Sequence, residues 1–167
     1  NVATVPICRE EILLIVPDEV IHKAYPDRFE EIKKKLYQSA DVRLLENCPF
    51  ILLKKGNRVR TIADELFEDT QITPHIVLET ENIETVLALS VQGMGITFYP
   101  RMFMSPDHAA NTNKNPLTHQ TGLNLYPLNY SRAHGTLGLG YHKGHYMSRA
   151  THEFIRIALE RIPYKND

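Results

Sequence analysis

Two short polar stretches carry side chains whose types and spacing suit the capture of a small charged molecule. In "KKGNR", Lys54, Lys55 and Arg58 surround a glycine and Asn57 where a strand gives way to a helix. Two ammonium groups, a guanidinium and the N–H groups of an opening helical turn can together hold a carboxylate or a phosphate. The same charges also suit a solvated turn that binds nothing. In "ETEN", Glu79, Thr80, Glu81 and Asn82 stand at the next junction of this kind. Thr80 and Asn82 can hydrogen-bond a ligand, and Glu79 or Glu81 can answer an amine; Asn and Thr here also serve as ordinary helix caps. Tyr99, near the end of a short apolar strand, is a further candidate, and a core aromatic with a satisfied hydroxyl is its alternative. The cations of the first stretch favour an anionic or carboxylate ligand.

Other chemistries find less support. His142 and His145 form an HxxH pair with His134 and His152 near in sequence, yet no carboxylate or cysteine completes a ligand set at a recognisable spacing. These histidines are expected in loops or on the surface, with no metal and no cofactor. Gly93 and Gly95 suggest a nucleotide loop, but the order here is helix, Gly-Met-Gly, strand. A dinucleotide fingerprint needs the reverse order, since phosphate is held by the positive N-terminal end of a helix. Gly93 is better explained as a left-handed helix closure, and Gly95 as a site where the next strand starts close to packed neighbours. No GxSxG elbow, Walker loop or HExxH is present, so no catalytic residue is expected. Cys8 and Cys48 lack CxxC spacing, which argues against a disulfide framework or zinc ribbon and fits a reducing cytosol. Cys48, before Pro49 at the entry to a buried strand, is expected to be inert packing.

The elements that must position these groups follow from hydrophobic period. Glu11–Pro17, Pro49–Leu53, His75–Thr80, "GITFYP" and "TLGLGYHK" (Thr136–Lys143) are short apolar runs that read as strands. Phe29, Ile32 and Leu36 recur at helical spacing, with Asp27 as the expected cap. Val59, Ile62, Ala63, Leu66 and Phe67 make an amphipathic stripe behind a capping Asn57; Ile83, Val86, Leu87 and Val91 do the same behind Asn82. A last helix carries Thr151, Phe154, Ile155, Ala158, Leu159 and Ile162 on one face, with Ser148 as cap. The pairs Arg149/Glu153 and Arg156/Glu160 lie four apart on its wet face. Residues from Ser105 to Gly122 are polar and read as a long surface connection. Alternating strands and helices give an α/β class with a largely parallel sheet.

With 167 residues, net charge −1 and 43% hydrophobic residues, the chain suits one globular domain or two small lobes, and has no basic footprint for nucleic acid. No apolar run approaches the ~20 residues of a membrane span, and no signal-peptide pattern opens the chain. The immediate start on a strand suggests a cut inside a larger protein.

The pieces "EEILLIVPDEV", "CPFILLKKGNRVRTIADELF", "TPHIVLETENIETVLALSVQGMGITFYP" and "LGLGYHKGHYMSRATHEFIRIAL", in that order, resemble the effector-binding domain of LysR-type transcriptional regulators. The most specific piece is "IETVLALSVQGMGITFYP", which is similar to the family's helix, glycine pair and closing proline. The resemblance implies a periplasmic-binding-protein-like (type 2) two-lobed α/β fold, with lobe two complete and lobe one only partly present. It implies a strand entering from lobe one at 1–17, a crossover and helix at 18–40, lobe two at 41–100, a crossover at 101–122 and a return to lobe one at 123–167. It further implies a small polar effector bound between the lobes and DNA contacted only through a winged helix-turn-helix outside this chain. Homodimers, tetramers of the full-length protein and a cytoplasmic location follow, with no membrane. A solute-binding protein of a transport system is the alternative; a small α/β enzyme is a third.

Overall fold

The computed structural model describes residues 2–104, 122–144 and 146–161. The chain divides into two compact units, Asn1–Glu10 with His134–Asp167, and Glu11–Ala133. Residues 18–40 and 123–133 thus share a unit with 41–100.

The larger unit is organised around the second half of β1 (Val2–Pro17). Its run Ile12–Val16 is buried throughout, because alternate side chains feed two different cores. Ile12, Leu14 and Val16 face the main core, whereas Leu13 and Ile15 pack with Leu87 and Tyr99. This stretch pairs with β4 (Thr97–Pro100) on one side and β5 (Leu123–Pro127) on the other. Both pairings are antiparallel, with Leu14 opposite Phe98 and Tyr126. That departs from the expectation of a largely parallel sheet. Continuous apolar runs mark strands covered on both faces, and strand direction leaves no mark in them.

The parallel pair is β2 (Pro49–Leu53) with β3 (His75–Thr80), joined by α3 (Arg58–Thr70). α4 (Ile83–Val91) then leads through Gly93 and Gly95 to β4. Gly93 adopts φ +72°, the left-handed closure expected of it. At Gly95 a Cβ would lie 3.0 Å from the Pro49 carbonyl oxygen and 2.9 Å from Ile51, so only a bare backbone lets Ile96 bond to β2. Ile96 does so through Ile51 N–H to its carbonyl at 2.9 Å and its own N–H to Pro49 at 2.8 Å. The rings of Phe50, Phe67 and Phe98 lock these layers together, with centroids 5.1 to 6.4 Å apart.

Two elements were not anticipated from sequence: β5 and α1 (Asp18–Ala24), a short helix directly after β1. α2 (Phe29–Ser39) is present, but Asp27 does not cap it. Pro26–Arg28 form a 3-10 turn instead, and Arg28 occupies the cap position without a side-chain bond. Pro26 fixes the backbone one residue too early for the Asp27 carboxylate to reach the helix N–H groups.

In the smaller unit, β6 (His134–His142) pairs with β1, and Gly138 lets the strands close, since a Cβ there would meet the Val5 carbonyl oxygen at 3.0 Å. α5 (Arg149–Arg161) is capped by Ser148, whose hydroxyl accepts from the Thr151 N–H at 3.1 Å. Arg156 pairs with Glu160 as expected and also with Glu153. The apolar stripe is not buried: Phe154 is 61% exposed, and no described residue of this helix is buried. Ile162, His145 and the expected connection at 105–121 lie outside the described residues.

Cys48 is buried, and burial pushes its thiol up to about 12, as suits inert packing. Cys8 is half-buried.

Truncation of Phe50 tests the aromatic core. Phe50→Ala should cost about 3–5 kcal/mol in urea unfolding, the range for deleting a buried aromatic ring.

Candidate functional site

The parallel order of β2 and β3 brings two strand C-termini and two helix N-termini to one edge of the larger unit. Leu53 is opposite Thr80, and the ladder continues one step as the Lys54 N–H donates to the Thr80 carbonyl at 2.9 Å. Each strand then turns into a helix capped by asparagine. Asn57 Oδ1 accepts from the Val59 N–H at 2.8 Å, and Asn82 Oδ1 accepts from the Glu84 and Thr85 N–H groups at 2.9 and 3.1 Å. The capping role weighed for both residues is therefore realised. Ligands of open α/β sheets bind outside such strand ends, where helix dipoles favour negative charge.

The charged groups are interlocked. Lys54 Nζ sits 3.0 Å from Glu81 across the two junctions, both exposed. Thr80 Oγ1 accepts from the Asn82 N–H at 3.3 Å. Lys55 and Arg58 are exposed on the same rim. Glu79 is engaged from below by a residue the sequence reading passed over. Arg60, in the first turn of α3, is only 5% exposed. Its guanidinium donates to the Leu53 carbonyl at 2.8 Å, to Asp64 at 2.7 Å and to Glu79. Burial works against the Arg60 charge, and the bonds to Asp64 and Glu79 more than offset it. In return the Arg60 hydrogen bond holds the Glu79 carboxyl below its usual range, with smaller help from the charges of Lys55 and Lys54. The one sequence signal for this was the Arg60/Asp64 spacing of four.

Seven candidates, Lys54, Lys55, Asn57, Arg58, Glu79, Thr80 and Asn82, thus lie along the two junctions. Tyr99 is elsewhere. It is 1% exposed, packs in the smaller core, and donates its hydroxyl to Glu84 at 3.1 Å. Burial first, and the neighbouring Glu84 charge second, push its phenol well above the ordinary range. Among the described residues no three His, Cys, Asp or Glu side chains gather as metal ligands would, and no helix is long and apolar enough to cross a membrane.

The match to protein families decides the wider assignment: residues 1–163 fit the model for the LysR substrate binding domain. The chain belongs to this family. Among curated relatives, the LysR-family chain is 30% identical over 103 residues to the HTH-type transcriptional regulator YcgK of Bacillus subtilis (strain 168), covering 58% of the chain and 32% of that relative. Among solved structures, it is similar in fold to the effector binding domain of QuiR in complex with shikimate. That likeness has a TM-score of 0.63 and 18% identity, over 96% of this chain and 65% of that one. It is likewise similar to the regulatory domain of CcmR from Synechocystis PCC6803 in complex with 2-PG, with a TM-score of 0.65 and 14% identity over 98% and 68% of the two chains. This LysR-family chain spans about a third of the YcgK relative's length and about two thirds of the QuiR domain.

The Glu79 environment gives a pH signature. A carboxyl held low by folding adds stability that is present above its unfolded pKa and is lost as pH falls through the lowered folded value. Glu79→Gln should therefore flatten the acid limb of a stability–pH curve while leaving the neutral-to-basic limb parallel to that of the parent. Urea unfolding between the carboxylate range and neutrality checks this.

Proposed function

We propose that this chain is the effector-sensing part of a LysR-type transcriptional regulator that recognises a small anionic metabolite. The observation that carries the reading is the cation-bearing junction of β2 with α3, set beside the junction of β3 with α4, in a chain that fits the LysR substrate binding domain. Lys54, Lys55 and Arg58 meet the ligand's negative group together with the N–H groups that open α3. Thr80 and Asn82 hydrogen-bond its hydroxyl functions, and Glu79 or Glu81 answers an amine where the ligand carries one. Tyr99 supports α4 from below without touching the ligand. The shikimate and 2-PG complexes of similar structures, and a transcriptional regulator among the relatives, favour this reading over transport or catalysis.

Binding changes the balance of two arrangements of the regulator by its differential affinity for them, and so reaches DNA-binding domains elsewhere in the protein. Those domains, homodimerisation, a tetrameric full-length protein and a cytoplasmic location belong to the same proposal.

A thermal-shift screen of carboxylate and phosphate metabolites tests it. A ligand at a hundred times its dissociation constant stabilises by about 2.7 kcal/mol, a readily measured rise in midpoint. Lys54→Ala and Arg58→Ala should each weaken the strongest hit by roughly three- to tenfold at low salt, with the unliganded midpoint nearly unchanged. Equal affinity in both variants removes the anion site.

A further inference from the structure

We propose that Arg60 is the positioning residue of this junction, holding Glu79 in place beneath the ligand and cancelling its charge so that the rim can receive an anion. The inference rests on the effector reading above and adds a residue that no ligand touches.

The first part of the argument is geometric. One buried guanidinium grips the last carbonyl of β2 at Leu53, the helix α3 through Asp64, and the end of β3 through Glu79. These are the elements whose ends form the rim. A planar fork with five N–H donors can serve three acceptors in three directions, which an ammonium on a flexible stem cannot do as well. The spacing between the "KKGNR" and "ETEN" turns is thereby tied to one side chain.

The second part is electrostatic. The rim carries Lys54, Lys55 and Arg58 against Glu79 and Glu81. Glu81 is already bound by Lys54, and it is 80% exposed, so an incoming anion can displace it at little cost. Glu79 is different, because it stands at the strand end next to Thr80 and points toward a buried partner. Left alone there, its carboxylate would repel the same anion that the lysines attract. Arg60 offsets that repulsion through a guanidinium that is itself buried and bonded to the half-exposed Glu79 carboxylate.

Two measurements test the proposal. The first needs no ligand: the Glu79 carboxyl is followed by carbon-13 NMR as pH is lowered, in the parent and in Arg60→Met. The parent should titrate low and the variant should return toward the ordinary glutamate range. Identical titration in the two proteins overturns the inference. The second uses shikimate, 2-PG and inorganic phosphate as probes at low salt. Arg60→Met should weaken the tightest of them roughly tenfold, Glu79→Gln alone should tighten it about threefold or more, and the double variant should return close to the parent.

Loss in Arg60→Met that Glu79→Gln does not restore would reduce Arg60 to a shape-keeping role and overturn the charge argument. Should Arg60→Met fail to fold, Glu79→Gln in the parent background still decides, because unchanged affinity there means that the Arg60 charge freed of its partner is not felt at the rim, which overturns the charge argument. Should none of these three probes bind the parent, the NMR titration alone decides the role of Arg60, and the effector reading is decided separately by the metabolite screen above.

Discussion

A guanidinium taken out of water must find acceptors in every direction it points, and Arg60 meets that demand by joining three elements at once. Leu53 ends β2, Asp64 lies one turn along α3, and Glu79 nears the end of β3. The parallel register, the asparagine caps and the exposed cations above them all sit on this anchor. If the two strand ends slipped apart, the Lys54-to-Thr80 ladder bond and the Lys54–Glu81 pair would be lost together.

Beneath that anchor the core is divided by β1. Its alternating side chains separate a large cluster around Phe50, Phe67 and Phe98 from a small one around Leu87 and Tyr99. Tyr99 belongs to the architecture of α4: its hydroxyl reaches the first turn of that helix through Glu84, next to the Asn82 cap. The rim thus depends on buried groups on both sides, Arg60 under one junction and Tyr99 under the other.

Much of this was legible in the sequence where local chemistry is self-sufficient. The bounds of β2, α3 and β3, and the caps Asn57 and Asn82, follow from an apolar period broken by residues that satisfy helix N–H groups. What failed depended on partners distant in the chain. Antiparallel pairing of β1 leaves no trace in an all-apolar run, and α1 is too short for its period to register. Asp27 had the right side chain but the wrong backbone after Pro26. The stripe on α5 was read correctly as a pattern, yet a pattern states that a face is apolar and not what covers it. Arg60 escaped because a charged residue beside an apolar stripe usually reaches for water. Its burial is made tolerable by Asp64 on its own helix together with the Leu53 carbonyl and the Glu79 carboxylate, and the last two come from strands that a reading of the helix alone does not see.

Cys48 has a practical consequence. Burial pushes its thiol up to about 12 and encloses the sulfur, so it is a poor nucleophile at neutral pH. Of the two thiols, the half-buried Cys8 in the Asn1–Glu10 segment is the more accessible to a maleimide, although burial and the neighbouring Glu10 raise it as well. The two cysteines of this chain thus differ in accessibility, and the more accessible one lies in the smaller unit.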